Sequence, residues 1–300
     1  MQPAFLQKIE DPLFDHKKVE VYLKREDLLH PTISGNKWRK LKYNLIAAKE
    51  QGKNTLLTFG GAYSNHIAAV AAAGKEYGLK SIGFIRGEEQ FSLNPTLAFA
   101  ANCGMQLSYL DRETYRQKDN PEFLAALQQQ YPEAYILPEG GTNLLAVKGC
   151  TEIINEIDIP FDYICCAAGT GGTLVGIIAG LAGEKKIIGF PALKGGDFLY
   201  QEIKQLINAY AGREYANWEL QTTYHFGGYA KVKPELLQFI KDFKAQQGIL
   251  LEPIYTGKML FGIYDLIRQD YFKPGSRIVA IHTGGLQGLA GFEARLGIKF

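Results

Sequence analysis

The chain has few cysteines. Four occur in 300 residues, Cys103, Cys150, Cys165 and Cys166. They form no C-x-x-C pair and no spacing that suggests a disulfide framework. The adjacent pair lies in an apolar run, DYICCAAG, and reads as two small buried hydrophobes. A reduced, cytoplasmic setting is the expectation. The five histidines are scattered with no i, i+4 pair, so no metal site is expected. An excess of charge of either sign is also missing: 33 Lys and Arg against 31 Asp and Glu give 33 − 31 = +2. That balance argues against nucleic acid or an anionic membrane surface as a partner. No apolar run approaches the roughly 18 residues that a membrane helix needs. The opening stretch, MQPAFLQKIEDPLFDHKK, carries acids early and lacks the apolar core of a signal peptide. There is no fixed-period repeat, low-complexity tract or long Pro/Gly/Ser linker.

What is there is alternation. VEVYLK (19–24) places apolar residues at every second position and predicts a strand. From Trp38 the apolar positions 38, 41, 45 and 48 trace a helical stripe, with Gly52 at the expected stop. Short β-like runs follow: TLLTFG (55–60), SIGFIRG (81–87), MQLSYL (105–110), AYILPE (134–139), DYICCAAG (162–169), KIIGFPA (186–192), WELQTTY (218–224) and RIVAIHTGG (277–285). Helical segments such as NHIAAVAAAGKEYG, PEFLAALQQQYP and PELLQFIKDFKAQQG separate most of them. Strands this apolar, alternating with helices, predict an α/β fold of parallel sheets covered on both faces. Eight or nine such units exceed one comfortable open sheet, so two are expected.

In such folds ligands sit at the carboxyl ends of strands, where four Gly-containing loops lie. In AAGTGGTLVG, residues Gly169, Thr170, Gly171, Gly172 and Thr173 run from a strand into a helix. Amides at a helix start, with hydroxyls beside them, suit an anion. The G-K-[ST] ending of a nucleotide loop is absent, and G-x-G-x-x-G fails at Leu174. A phosphate monoester therefore fits better than a nucleotide; a tight turn with no ligand is the competing reading. GGAYSNH (60–66) has the same shape. Capping explains one of Ser64 and Asn65, and the pair together would suit a carboxylate. His66 alone reads as a structural histidine. No G-x-S-x-G elbow surrounds Ser64, which sets aside a serine hydrolase.

Lys37 follows the turn Ser34-Gly35-Asn36 within SGNKWRKLKYN, which holds four cations in eleven positions. Taken singly it reads as a solvated lysine. Beside a phosphate cradle and a carboxylate cradle it reads as the amine of a pyridoxal phosphate enzyme. Tyr255 in EPIYTGKM and Tyr229 in FGGYAKV are further candidates. A tyrosine works as acid or base only when its pKa drops well below about 10.

Taken in order, KREDLLHPTISGNKWRKLKYNL, TFGGAYSNH, IRGEE, EGGTN, AAGTGGT, EPIYTGK and IHTGGLQG span residues 24–288. This ordered set resembles the family of 1-aminocyclopropane-1-carboxylate deaminase and D-cysteine desulfhydrase, fold-type II pyridoxal phosphate enzymes. The resemblance implies that Lys37 is the Schiff-base lysine and that Asn65 bonds the cofactor's phenolic oxygen. Ser64 and the adjoining amides would take the substrate carboxylate, and residues 169–173, with Lys40, the phosphate. Arg39 and Lys42 are left as solvated side chains. Thr256 stands where the deaminases place a glutamate against the pyridine nitrogen, and Thr283 where they carry leucine. A hydroxyl bonding that nitrogen does not force its protonation. This weakens the electron sink and suits β-elimination better than cleavage of a strained carbon–carbon bond.

His66 matches the desulfhydrase pattern and is assigned to the substrate, as are Tyr255, the alternative to Lys37 as base, and Tyr229. The reaction so implied converts D-cysteine to pyruvate, sulfide and ammonia. The chain departs from the pattern in the apolar IAAVAAAG after His66 and in Ala230 and Lys231. Those departures touch the substrate side. The alternatives are a ring-opening deaminase, a dehydratase, a β-replacing synthase, and a pyridoxal phosphate binder without catalysis. A nucleotide-binding module is the remaining reading. The same resemblance implies a larger domain of residues 1–45 and 148–300, a smaller one of 46–147, the cofactor in the cleft between them, and a homodimer.

Overall fold

The computed structural model describes residues 5–89 and 92–300. The strands are β1 (Leu6–Ile9), β2 (Glu20–Lys24), β3 (Thr55–Gly60), β4 (Lys80–Arg86) and β5 (Met105–Leu110), followed by β6 (Ala134–Leu137), β7 (Tyr163–Ala168), β8 (Lys186–Pro191), β9 (Trp218–Leu220) and β10 (Arg277–Ile281). They form two sheets, a six-stranded one ordered β1-β2-β10-β7-β8-β9 and a four-stranded one ordered β5-β4-β3-β6. Every neighbouring pair is parallel except β1 with β2. The larger sheet draws on residues 6–24 and 163–281, the smaller on 55–137. The expected pair of helix-covered sheets is therefore present.

The sequence explains why these runs are strands. All six residues of TLLTFG are buried in β3, as expected for a parallel strand with helices on both faces. In β7 the period of two sends Cys165 and Ala167 into one core, with Ile188 and Ile263. Ile164, Cys166 and Ala168 enter another, with Leu174 and Ile178. The two adjacent thiols thus serve as small apolar wedges on opposite faces, and all four cysteines are free.

Two strand expectations change. β1 was not anticipated, because LQKI is half wet and pairs antiparallel at an edge, so it shows no buried run. WELQTTY keeps only Trp218–Leu220 as strand. Beyond Gln221, whose N–H still donates to the Gly189 carbonyl, the chain turns, and the Tyr224 hydroxyl anchors on Asp265 at 2.8 Å.

The helix Asn36–Glu50 packs on Leu144–Asn155, which packs in turn on Gly172–Leu181. A Cβ at position 149 would lie 1.9 Å from the Arg39 carbonyl oxygen, so the first crossing requires glycine. Among the described residues no helix is long and apolar enough to cross a membrane. The carboxyl ends of β3, β6, β7 and β10 all open onto one cleft, whose walls include Ser64, Gly140, Gly169 and Thr283.

Candidate active site

The site begins with a glycine. Gly35 has φ +63°, and a Cβ there would sit 1.9 Å from the Thr283 carbonyl oxygen. Any side chain would push the helix away from the loop after β10. With glycine in place, the Asn36 N–H donates to that same oxygen at 3.1 Å, and the helix starts with Lys37 in its first turn. The Asn36 side chain donates to Thr173 Oγ1 at 2.8 Å and accepts from Lys37 Nζ at 3.1 Å. The amine is thus tied to the loop after β7. Burial, with the Lys40 ammonium nearby, pushes Lys37 down to about 7. A large fraction is then the free base at neutral pH, which a carbonyl-attacking amine requires.

Lys40, one turn on, donates to the Gly140 carbonyl at 2.9 Å, to Thr142 Oγ1 at 2.9 Å and to Thr170 Oγ1 at 3.4 Å. Burial lowers its pKa too. It leans on the start of the helix Gly172–Leu181, which has no side-chain cap. The first amides of that helix and its dipole therefore face the cavity. A Cβ on Gly172 would lie 2.8 Å from Thr142 Oγ1 and 3.2 Å from Lys40 Nζ, so the cradle stays open only because that residue is glycine.

Across the cleft, Ser64 caps the helix Asn65–Tyr77, accepting from the amides of His66 and Ile67 at 3.2 and 3.3 Å. The capping reading thus accounts for Ser64, whose hydroxyl proton stays available to donate. Gln287 donates to Asn65 Oδ1 at 3.0 Å, which leaves the Asn65 amide NH2 as the group for the pocket.

Lys37, Lys40, Ser64, Asn65, His66, the loop Gly169 to Thr173, Tyr229, Tyr255 and Thr283 all line one inner cavity of about 80 Å³. Of the residues expected there, Thr256 is not among them. It is fully buried, and its hydroxyl and N–H both bond Glu252, at 3.1 and 2.6 Å. The first turn of its helix points that side chain toward Glu252 and away from the inner cavity. His66 is on the wall, but Nε2 is engaged with Thr58 Oγ1 at 2.9 Å. The Thr58 hydroxyl donates to the Leu137 carbonyl, so Nε2 carries the proton and Nδ1 is the bare nitrogen. Burial and the two lysines push His66 well below its usual pKa, and it is neutral.

Tyr255 does not fit the role of base. Burial and the adjacent Tyr229 push it well above 10, so it is a phenol that donates. The two rings meet edge to face with centroids 6.1 Å apart. Arg39 and Lys42 differ from the solvated reading as well. Arg39 is buried, with Glu26 at 2.9 and 3.0 Å and Glu156 at 2.6 Å. Lys42 pairs with Glu152 at 2.7 Å. The crowd of cations splits two to the pocket and two to ion pairs behind it.

Three supporting residues escaped the sequence reading. Glu252 accepts from the amides of Ile254, Tyr255 and Thr256, holding the turn that presents Tyr255. Lys258 is buried and donates to the Gly228 carbonyl at 2.8 Å, pinning the loop that carries Tyr229; burial pushes it down to about 8. Gln287 orients Asn65. Each lies inside a motif already singled out, as the residue not facing the loop.

Two mostly parallel α/β sheets that bring a free-base lysine and an uncapped helix start together in their cleft define a fold-type II pyridoxal phosphate enzyme. Residues 9–284 match the family described as pyridoxal-phosphate dependent enzyme, and the chain belongs to it. Its cofactor is accordingly pyridoxal phosphate. The mitochondrial bifunctional D-cysteine desulfhydrase/1-aminocyclopropane-1-carboxylate deaminase of Arabidopsis thaliana is 31% identical over 293 residues, 90% of this chain and 73% of that one. A D-cysteine desulfhydrase of Serratia proteamaculans is 28% identical over 303 residues, 95% and 92% of the two chains. The crystal structure of an ACC deaminase homologue superposes with a TM-score of 0.86 at 29% identity, covering 99% of this chain and 93% of that one.

The residues present fit the cofactor. The glycine-lined helix start offers donors for a phosphate, Lys37 an amine for an aldehyde, and the Asn65 amide a donor for a phenolic oxygen. Thr283 supplies a hydroxyl on the same wall. The chemistry of the donor set matches each polar group of pyridoxal phosphate.

Proposed function

We propose that this enzyme eliminates the β-substituent of a small amino acid, with D-cysteine as its substrate: D-cysteine and water give pyruvate, hydrogen sulfide and ammonia. The observation that carries the choice of elimination is that no carboxylate lines the inner cavity among the described residues. Ring opening calls for a fully protonated pyridine, which a carboxylate beside the nitrogen enforces; the hydroxyl of Thr283 does not. The Serratia proteamaculans relative, named for D-cysteine desulfhydration alone, supports the same reading, while the bifunctional one is named for both reactions.

In this reading Lys37 holds the cofactor, the helix start at 169–173 with Lys40 takes its phosphate, Asn65 its phenolic oxygen and Thr283 its ring nitrogen. When bound, pyridoxal phosphate supplies the aldehyde that takes the substrate amine and the ring that draws electron density from Cα. Ser64 and the amides after it receive the substrate carboxylate. Lys37, released by the incoming amine and with its pKa held near 7, takes the Cα proton. Tyr255, kept protonated by burial and by Tyr229, offers a hydrogen bond to the departing sulfur without giving up its proton. The tyrosine pair and Thr170 wall the leaving-group side. A cytoplasmic homodimer belongs to the same proposal, supported by the free cysteines and by the resemblance.

The test is to supply the cofactor-loaded enzyme with D-cysteine, L-serine or 1-aminocyclopropane-1-carboxylate and follow sulfide, ammonia and the keto acid. Pyruvate and sulfide in equal amounts from D-cysteine are expected. Turnover of the cyclopropane alone would replace elimination by ring opening, and turnover of L-serine alone would make the enzyme a dehydratase.

A further inference from the structure

Beyond the inner cavity lies a larger one. It measures about 420 Å³ and shares Ser64, Tyr229 and Tyr255 with the inner space. The inner cavity, about 80 Å³, is walled by the groups that fit the cofactor. A substrate side chain directed away from Lys37 therefore leaves past the two tyrosines into the outer one. Its size far exceeds the needs of a thiol.

The outer walls carry two guanidinium groups. Arg86 ends β4 on the four-stranded side, and Arg295 comes from the helix Leu289–Leu296 on the other. Arg86 stands 5.9 Å from the Tyr115 ring centroid and lies near enough to Tyr229 to pull on its phenol. Arg295 donates to the Ala230 carbonyl at 2.9 Å and stacks 4.5 Å from the Phe292 centroid. Among the described residues neither has a carboxylate within 4.0 Å. The one acid on this wall, Glu139, is already engaged by the Tyr115 hydroxyl at 2.8 Å and by Lys118 at 3.4 Å. Two planar cations beside aromatic rings, brought to one cavity from different elements of the fold, are suited to receive an oxyanion.

We infer that the preferred substrate, ahead of D-cysteine, is an α-amino acid whose β-carbon bears a phosphate or sulfate ester, gripped between Arg86 and Arg295. The inference rests on the elimination reading for its chemistry and on the cavity alone for its charge. For O-phosphoserine the reaction balances as for cysteine: the Cα proton and the Cβ–O bond are lost, and phosphate leaves with the electron pair. Water enters, and pyruvate, ammonia and phosphate are the products, with no net oxidation.

The experiment uses the cofactor-loaded enzyme and both enantiomers of serine, O-phosphoserine, serine O-sulfate and aspartate. Binding is read from the cofactor's absorbance change and turnover from pyruvate. The anionic amino acids are expected to bind at least tenfold more tightly than serine. That advantage should shrink as salt rises, since the arginines are exposed to solvent. Arg86→Met with Arg295→Met should erase the advantage, and Arg86→Lys with Arg295→Lys should keep part of it. Comparing O-phosphoserine with serine O-sulfate distinguishes phosphate from sulfate, and aspartate, which has no β-leaving group, reports on binding of the charge alone. Equal affinity for serine and its anionic analogues would overturn the inference while leaving elimination intact. Preferential binding of the anions without pyruvate from any of the esters would make them inhibitors and overturn the inference, while leaving elimination of D-cysteine to its own test.

Discussion

The two ends of the cleft are built differently. At the inner end, Lys37 is tied through Asn36 to Thr173, Lys40 bonds three oxygens, and Asn65 is turned by Gln287. Behind them Arg39 closes a buried ion pair with Glu26. At the mouth, Tyr63 and Tyr229 are nearly half exposed, and the arginines rest on rings instead of acids. A group fixed on several sides does one job in one geometry, which is what a cofactor asks. A wall of exposed side chains can be re-cut for a new substrate without disturbing the chemistry behind it. The contrast explains why the cofactor class is visible in the chain while the substrate stays a matter for proposal.

The contrast can be broken most severely at Lys37. Lys37→Ala is expected to lower turnover about a thousandfold or more and to remove the covalent link between cofactor and chain, read by borohydride reduction and peptide mapping. Retained labelling at another lysine would move the reactive amine elsewhere. The pH dependence of cofactor capture sharpens the same point. Attack needs the free base, so capture by the apoenzyme should fall about tenfold per pH unit below about 7 and level off above it. A rise continuing to about 10.4, the ordinary lysine value, would mean that the amine is not depressed.

Behind the pocket, Arg39→Met leaves Glu26 buried without its main partner and should cost about 3–5 kcal/mol in denaturant unfolding. Lys42→Met, three residues away and partly exposed, should cost under about 1 kcal/mol. Equal losses would erase the distinction between the two cations. At the mouth the smallest effect is expected: Lys258→Met frees the Gly228 carbonyl. It should raise KM several-fold through Tyr229, with cofactor affinity unchanged in a titration.

Much of this was legible in the chain because the cofactor end is made of local signals. Strand–glycine–helix loops announce where amides will point, so the cradle at 169–173 and the turn at Ser64 could be read from their letters. Lys37 stood out only beside those two cradles and through the resemblance, since taken singly it reads as a solvated lysine. Thr256 could not, since a helix start can aim a hydroxyl either way, and only the Glu252 carboxylate decides that it points inward. Arg39 looked like Lys42 because the acids that bury it, Glu26 and Glu156, lie 13 and 117 positions away, outside its own helix. Tyr255 shows the same limit. Its pKa is set by burial and by Tyr229, a neighbour that only the fold supplies.

The contact of Gly35 and Asn36 with the Thr283 carbonyl bears on when the enzyme comes alive. The lysine follows the first strands of the larger sheet, but the oxygen that starts its helix belongs to the loop after β10, made much later in synthesis. A nascent or truncated chain that lacks residue 283 therefore cannot hold Lys37 in its working place. Such long-range closures come late in folding.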